Sequence, residues 1–146
     1  MSATTIHRSV VTAHTPEQMF DLVNDVERYP DFLPWCRKGH VLEQQQDSQV
    51  AQIDFALGGV RRSFTTFNQL RRPEAVDIEL IEGPFRALGG HWQFRPVPQG
   101  CEVALDLQFE LASGWLNRVL GPLLRPAADS LVGAFCKRAD AVYGTA

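Results

Sequence analysis

Between Ser113 and Gly144, Leu116, Leu120, Leu123, Ala127, Leu131, Phe135, Ala139 and Val142 recur at three- and four-residue steps. That spacing sets side chains along one stripe of a single long helix. An apolar stripe of this length has to be covered, so the preceding chain must supply an apolar face. Ahead of it the period is two. Val103, Leu105, Leu107, Phe109 and Leu111 alternate with Glu102, Ala104, Asp106, Gln108 and Glu110, which predicts a strand with one wet and one buried face. Ala51, Ile53, Phe55 and Leu57 mark a similar face within 50–57, joined to a strand over 41–46 by an Asp47-Ser48 turn. Gly58-Gly59 turns the chain into a long strand over 60–70. Arg72-Pro73-Glu74 turns it again into a strand carrying Val76, Ile78 and Leu80, and the Gly83-Pro84 break precedes another over 85–96.

At the other end, 6–13 is β-prone, and Thr15-Pro16-Glu17-Gln18 is a helix start with proline at the first helical position and a capping-box glutamine. Met19, Phe20 and Val23 form the buried face of that helix. Pro30 and Pro34 limit 26–36 to short helical turns that end in Tyr29, Phe32, Leu33 and Trp35. The pattern predicts an α+β domain: one strand, two short helices, six strands in hairpin succession and a long C-terminal helix. Short turns imply an antiparallel meander, whose apolar face is the partner that the helix requires. A strongly twisted seven-stranded sheet meets a helix along a line and leaves space beside it. That space is the candidate functional feature.

At 146 residues the chain is expected to be one domain, 1–146, with a core that needs no disulfide or metal. A net charge of −3 argues against a protein held to nucleic acid by bulk electrostatics, and no DNA partner is expected. Cys36, Cys101 and Cys136 are odd in number, with no CxxC pair, and read as reduced thiols of a cytosolic protein. The first nine residues lack a signal core, and no run approaches the ~18 apolar residues of a membrane span. The expected location is cytoplasmic.

Leu22-Val-Asn-Asp-Val-Glu-Arg-Tyr-Pro-Asp-Phe-Leu-Pro-Trp-Cys36, Gly83-Pro-Phe-Arg-Ala-Leu88, Trp92-Gln-Phe94, Ala134-Phe-Cys-Lys-Arg-Ala139 and Val142-Tyr-Gly144 resemble the START-like coenzyme Q-binding proteins, a family that includes the bacterial ribosome association toxins. The resemblance runs from about Thr5 to Gly144, and Asp25 to Cys36 is its most specific block. It implies the helix-grip (START/Bet v 1-like) fold, a seven-stranded sheet wrapped around a long helix and an apolar tunnel. It implies binding of ubiquinone or another polyprenyl lipid in support of cellular respiration, with peripheral contact at the inner membrane. Alternatively it implies a toxin–antitoxin role: binding the large ribosomal subunit and blocking subunit joining. In both cases no enzyme, cofactor or metal is expected, the lipid being a bound ligand. One departure stands out. Gly121-Pro122 and Pro126 fall inside the long helix and should kink it there, freeing a short N-terminal piece to move and admit ligand.

The chemistry-bearing residues form no catalytic set. His7, His14, His40 and His91 are scattered, with no metal-binding spacing. His91, beside Trp92, is placed to hydrogen-bond a quinone carbonyl only if it faces the tunnel, and alternation turns it to solvent. Cys36 precedes Arg37-Lys38, which would activate an exposed thiol, but a small apolar residue packed under the helix is the preferred reading. Gly58-Gly59 and Gly89-Gly90 lack a phosphate-loop pattern and read as turns and bends. The pairs Arg37-Lys38, Arg61-Arg62, Arg71-Arg72 and Lys137-Arg138 could dock on ribosomal RNA or anionic headgroups, yet read first as a solvated surface balanced by 17 acids. Arg138 matches the resemblance's terminal-helix motif and is expected to pair with a carboxylate.

The tunnel wall is assigned to Phe32, Trp35, Phe55, Phe64, Trp92, Phe94 and Phe109 with Leu116, Leu120, Leu123, Leu131 and Phe135. Burying an isoprenoid tail gains up to ~0.8 kcal/mol per carbon relative to water, but a bilayer offers the same gain. A carrier therefore has only to match the membrane, and an apolar tunnel with an openable mouth suffices.

Overall fold

The computed structural model describes residues 3–144; residues 1, 2, 145 and 146, the ends of the expected domain, lie outside the described residues. Seven strands, β1 (Thr4–Thr12), β2 (Cys36–Gln44), β3 (Ser48–Leu57), β4 (Val60–Arg71), β5 (Ala75–Glu82), β6 (Phe85–Val97) and β7 (Gly100–Leu111), make one antiparallel sheet in the order β1-β7-β6-β5-β4-β3-β2. Strands β2 to β7 are the predicted meander. Helix α1 (Pro16–Asn24) and a 3₁₀ helix (Val26–Asp31) carry the chain from β1 at one edge to β2 at the other. Helices α2 (Gly114–Asp129) and α3 (Leu131–Tyr143) cover the apolar face, so the expected α+β architecture is present.

Local chemistry sets these elements. The Thr15 hydroxyl accepts from the Gln18 N–H at 3.1 Å while the Thr15 N–H donates to Gln18 Oε1 at 3.0 Å, closing the predicted capping box. Gly58 and Gly59 have φ of 58° and 78°, the two positive values that a two-residue hairpin turn between β3 and β4 requires. Strand β2 begins at Cys36, five residues before the expected Val41, because Cys36 pairs with Phe55 and the Trp35 carbonyl accepts from the Ala56 N–H at 3.0 Å. Arg37-Lys38-Gly39-His40 has no apolar alternation, so backbone pairing with β3 decides its conformation. Gly89-Gly90 is not a bend but lies within β6. At Gly90 a Cβ would come within 3.1 Å of Leu107 Cδ1, so the glycine permits close packing of the inner face.

The C-terminal helical cover is interrupted once, at Ser130, and Gly121 to Pro126, the segment expected to kink, lies within the span of α2. Pro122 and Pro126 are exposed, so the carbonyls they leave without an N–H donor can turn to water. At the break the Ser130 hydroxyl donates to the Ala127 carbonyl at 2.8 Å, an acceptor that a continuous helix would give to the Leu131 N–H.

The core divides at the same place. Phe135, Val132 and Ala139 of α3 pack with Met19, Phe20 and Val23 of α1 and with Leu33, Trp92, Phe94, Val103 and Leu105. Leu116, Leu120 and Ala128 of α2 pack with Phe55, Phe85, Phe109 and Leu111. The stripe is therefore buried over most of its length, with two exceptions. Leu123 is 42% exposed and Val142 is also exposed.

Candidate functional site: an apolar cavity with a polar inner wall

The two core clusters leave a seam under the Ser130 break, and there the sheet and α2–α3 border a partly open cavity of about 150 Å³. Of the residues assigned to a tunnel wall, Trp35, Phe55, Phe64, Trp92, Phe109, Leu131 and Phe135 line it, and the sheet also contributes Ile53, Ile78, Phe85, Leu88 and Leu107. Its helical roof is Leu124, Ala127, Ala128 and Leu131. The small Ala127 and Ala128, where larger side chains would fill the seam, are part of why the space exists.

Five of the expected wall residues lie elsewhere. Phe94 stacks on Trp92 with ring centroids 6.1 Å apart and meets Phe20 edge-on, filling the core behind the wall. Leu116 and Leu120 are buried in the α2 cluster, one to two turns beyond the cavity. Phe32 packs on Tyr29 and Phe135 beneath the Arg138 guanidinium, which is 5.3 Å from its ring centroid. Leu123 points across the hairpin instead of inward: its Cδ1 would be 2.5 Å from a Cβ on Gly58. A helical stripe predicts a face, but it does not say how far along that face a cavity extends.

The sequence reading missed Tyr29, Thr66 and Asn68. The Tyr29 hydroxyl donates to the Val23 carbonyl, and burial pushes its phenol far above the ordinary value, so it stays neutral. Thr66 and Asn68 are 5% and 7% exposed and line the cavity from β4, on the same face as Phe64 and Leu70. The signal was available as two polar residues at an apolar period. Their side chains belong to a buried chain of hydrogen bonds. Gln49 Nε2 donates to the Asn24 carbonyl at 3.1 Å and to Gln44 Oε1 at 3.2 Å; Asn68 Nδ2 donates to Gln49 Oε1 at 3.1 Å; and the Thr66 hydroxyl donates to Asn68 Oδ1 at 2.9 Å.

Other candidates resolve simply. His91 lies on the outer face, bonded to Asp77 and turned from the cavity. Cys36 is buried, and burial, reinforced by Asp54, pushes its thiol up to about 11. Cys101 and Cys136 are raised to about 11 as well, burial being the main cause. None of the three is an activated thiolate at neutral pH. Arg138 meets its expected carboxylate, Asp31, at 3.5 Å.

The basic residues fall into two groups. Arg8, Arg28, Arg71, Arg72, Arg86, Arg95 and Arg138 each have a carboxylate at ion-pair distance. Among the described residues, Arg37, Lys38, Arg61, Arg62, Arg118, Arg125 and Lys137 are outside those pairs. All of these but Lys137 come from three segments without Asp or Glu, 32–42, 55–73 and 111–128. The fold joins those segments at one end. Phe55 pairs with Cys36 on one side and with Arg62 on the other, and Leu123 of α2 rests on Gly58 at the same hairpin. Arg118 and Arg125 share the exposed face of α2 with Trp115, which is 54% exposed. A net-acidic protein thus carries a local basic end.

The seven-stranded antiparallel sheet covered by C-terminal helices defines a START-like class of fold. Residues 12–136 match the family described as polyketide cyclase / dehydrase and lipid transport, and the chain belongs to that family. A ribosome association toxin, RatA, of Pseudomonas aeruginosa is 41% identical over 143 residues, covering 97% of this chain and 99% of the relative. More distantly, a mitochondrial coenzyme Q-binding protein homolog of Xenopus laevis is 26% identical over 141 residues, 93% of this chain and 58% of that protein. The crystal structure of the Zhui aromatase/cyclase from a Streptomyces species superposes with a TM-score of 0.80 at 18% identity, covering 95% of this chain and 94% of that one. At that identity the likeness concerns the fold. Among the described residues, no helix is long and apolar enough to cross a membrane.

Proposed function

We propose that this chain is a cytoplasmic ribosome-binding protein that docks on the large ribosomal subunit and opposes subunit joining. The observation that carries this reading is the relation to a protein named as a ribosome association toxin, which extends over nearly the whole of both chains. The basic end supports it physically. Phosphate backbones attract lysine and arginine that are free of internal partners, whereas an arginine already held by a carboxylate has less to give. Sedimentation of lysate on sucrose gradients after induced expression tests the proposal: free subunits accumulate at the expense of joined ribosomes, with the protein in the large-subunit fractions. Unchanged profiles, with the protein remaining at the top of the gradient, refute it.

A second reading has its own observation, the cavity. We infer that the domain also binds a hydrophobic molecule without transforming it, a quinone or other polyprenyl lipid being the candidate suggested by the more distant relative. At about 150 Å³ the cavity is smaller than the ~300–1,000 Å³ of typical ligand pockets, so a long tail requires α2 to swing outward. The Ser130 break is the hinge in this reading, and α2 as a whole is the moving lid. Among the described residues, Tyr29 is the ionisable side chain of the wall, and its neutral, hydrogen-bonded phenol suits binding more than acid–base work. Solvent extraction of protein purified from its own host, followed by mass spectrometry, tests this reading; a lipid-free extract even after quinone loading counts against it.

A further inference from the structure

The buried chain from Asn24 to Thr66 has a direction that fixes what the cavity offers to a ligand. A backbone carbonyl can only accept, so the Asn24 carbonyl fixes Gln49 with its amide nitrogen toward α1. Gln49 Oε1 must then face Asn68, which must present its nitrogen. Asn68 Oδ1 therefore faces Thr66 and receives the threonine proton. No step can be reversed without setting two donors or two acceptors against each other inside the core. The four hydrogen bonds of this chain are all made within the protein. Thr66 and Asn68 both line the cavity, and among the described residues the second Asn68 N–H, a donor, and the lone pairs of Thr66 Oγ1, an acceptor, have no side-chain partner.

We propose that this donor–acceptor pair on β4 is a polar subsite and that the cavity takes a neutral amphiphile bearing a hydroxyl, an alcohol or a phenol. Such a group accepts from Asn68 Nδ2 and donates its proton to Thr66 Oγ1, satisfying both open valences at once. A carbonyl uses only the first, an ether likewise, and a hydrocarbon leaves both unpaired against an otherwise apolar wall. An ionised head is disfavoured for a different reason. Among the described residues no lysine, arginine or histidine lines the cavity, so a carboxylate or phosphate would lose its water without gaining a counter-charge. The apolar body lies against Phe64, Trp92 and Phe135, with the roof at Ala127 and Ala128 closing over it. This assignment rests on the reading of the cavity as a ligand site.

The test uses small isoprenoids matched in shape: geraniol, its methyl ether, its deoxy hydrocarbon and geranic acid, titrated at neutral pH into the whole protein by calorimetry or by quenching of the Trp92 region's fluorescence. Geraniol is expected to bind roughly fivefold tighter than the ether and more than tenfold tighter than the hydrocarbon or the acid. Thr66→Val, close in shape, should remove the advantage over the ether, and Thr66→Ser should restore it. If none of the four binds, the cavity reading fails and the subsite with it. If all four bind equally, or the acid binds best, the cavity reading stands and the hydroxyl subsite is overturned. The wild-type series alone decides this, whether or not the valine variant folds.

Discussion

Filling the cavity with one side chain separates a ligand site from an ordinary packing gap. Ala128 is buried on α2 and lines the space between roof and sheet. Ala128→Leu adds three carbons, which at ~0.8 kcal/mol each gain up to ~2.4 kcal/mol if they find room. Leucine is nearly as good a helix former as alanine, which costs only about a few tenths of a kcal/mol. Partial burial in the unfolded chain lowers the gain further. The expected net is about 1–2 kcal/mol of stabilisation, or about 3–6 °C in Tm for a domain of this size. Overpacking of a filled core would instead cost about 1–3 kcal/mol, the opposite sign. Thermal and urea unfolding of the ligand-free protein read the difference, and the same variant should lose affinity for geraniol or any hydrophobic probe at least tenfold. A fall in Tm refutes the view that the seam holds usable space. A rise in Tm with probe affinity unchanged refutes its role as the binding site.

Four further outcomes follow from the geometry. Phe135→Ala removes a ring that is almost fully buried and packed edge-on against Tyr29, Phe32 and Trp92; chemical denaturation should show a loss of about 3–5 kcal/mol. Arg61→Ala with Arg62→Ala should reduce the slope of log affinity for the large subunit against log salt by about 1–2, whereas Arg72→Ala, whose guanidinium is held by Asp21, should leave it nearly unchanged. Alkylation of the native protein at pH 8 should be slow at all three cysteines and become fast only on unfolding, because each thiol is held at about 11. Partial burial alone would raise the Asp77 carboxyl, but bonds from His91 and Arg71 outweigh it and hold it below the ordinary range. Its contribution to stability is therefore complete above about pH 4–5 and is lost as pH falls through the lowered folded value. Unfolding measured between neutral and strongly acid pH should show a shallower acid limb in Asp77→Asn, and an identical limb would refute the coupling.

Sequence periodicity determined the elements because it records which side of each element must leave water. Alternation in Val103 to Leu111 and the stripe from Leu116 to Ala139 are statements about burial, and they specified the sheet, its meander order and the helical cover. Turn chemistry at Thr15, Gly58 and Gly59 is local in the same sense. The cavity was legible only as an expectation of space, with seven of its twelve assigned residues on the wall. Tertiary structure decided the rest. Whether Leu123 faces the cavity or Gly58 depends on where α2 lands along the sheet, and neither periodicity nor propensity encodes that. The helix break at Ser130, not at the prolines, follows from two separate core clusters that each claim one segment. The polar wall arose from Gln49, Asn68 and Thr66, residues on two strands that only register brings together. The basic end needed three acid-free segments to converge. Each of these depends on long-range pairing, whose physical cause, the burial of one element by another, is not a property of any stretch of chain taken alone.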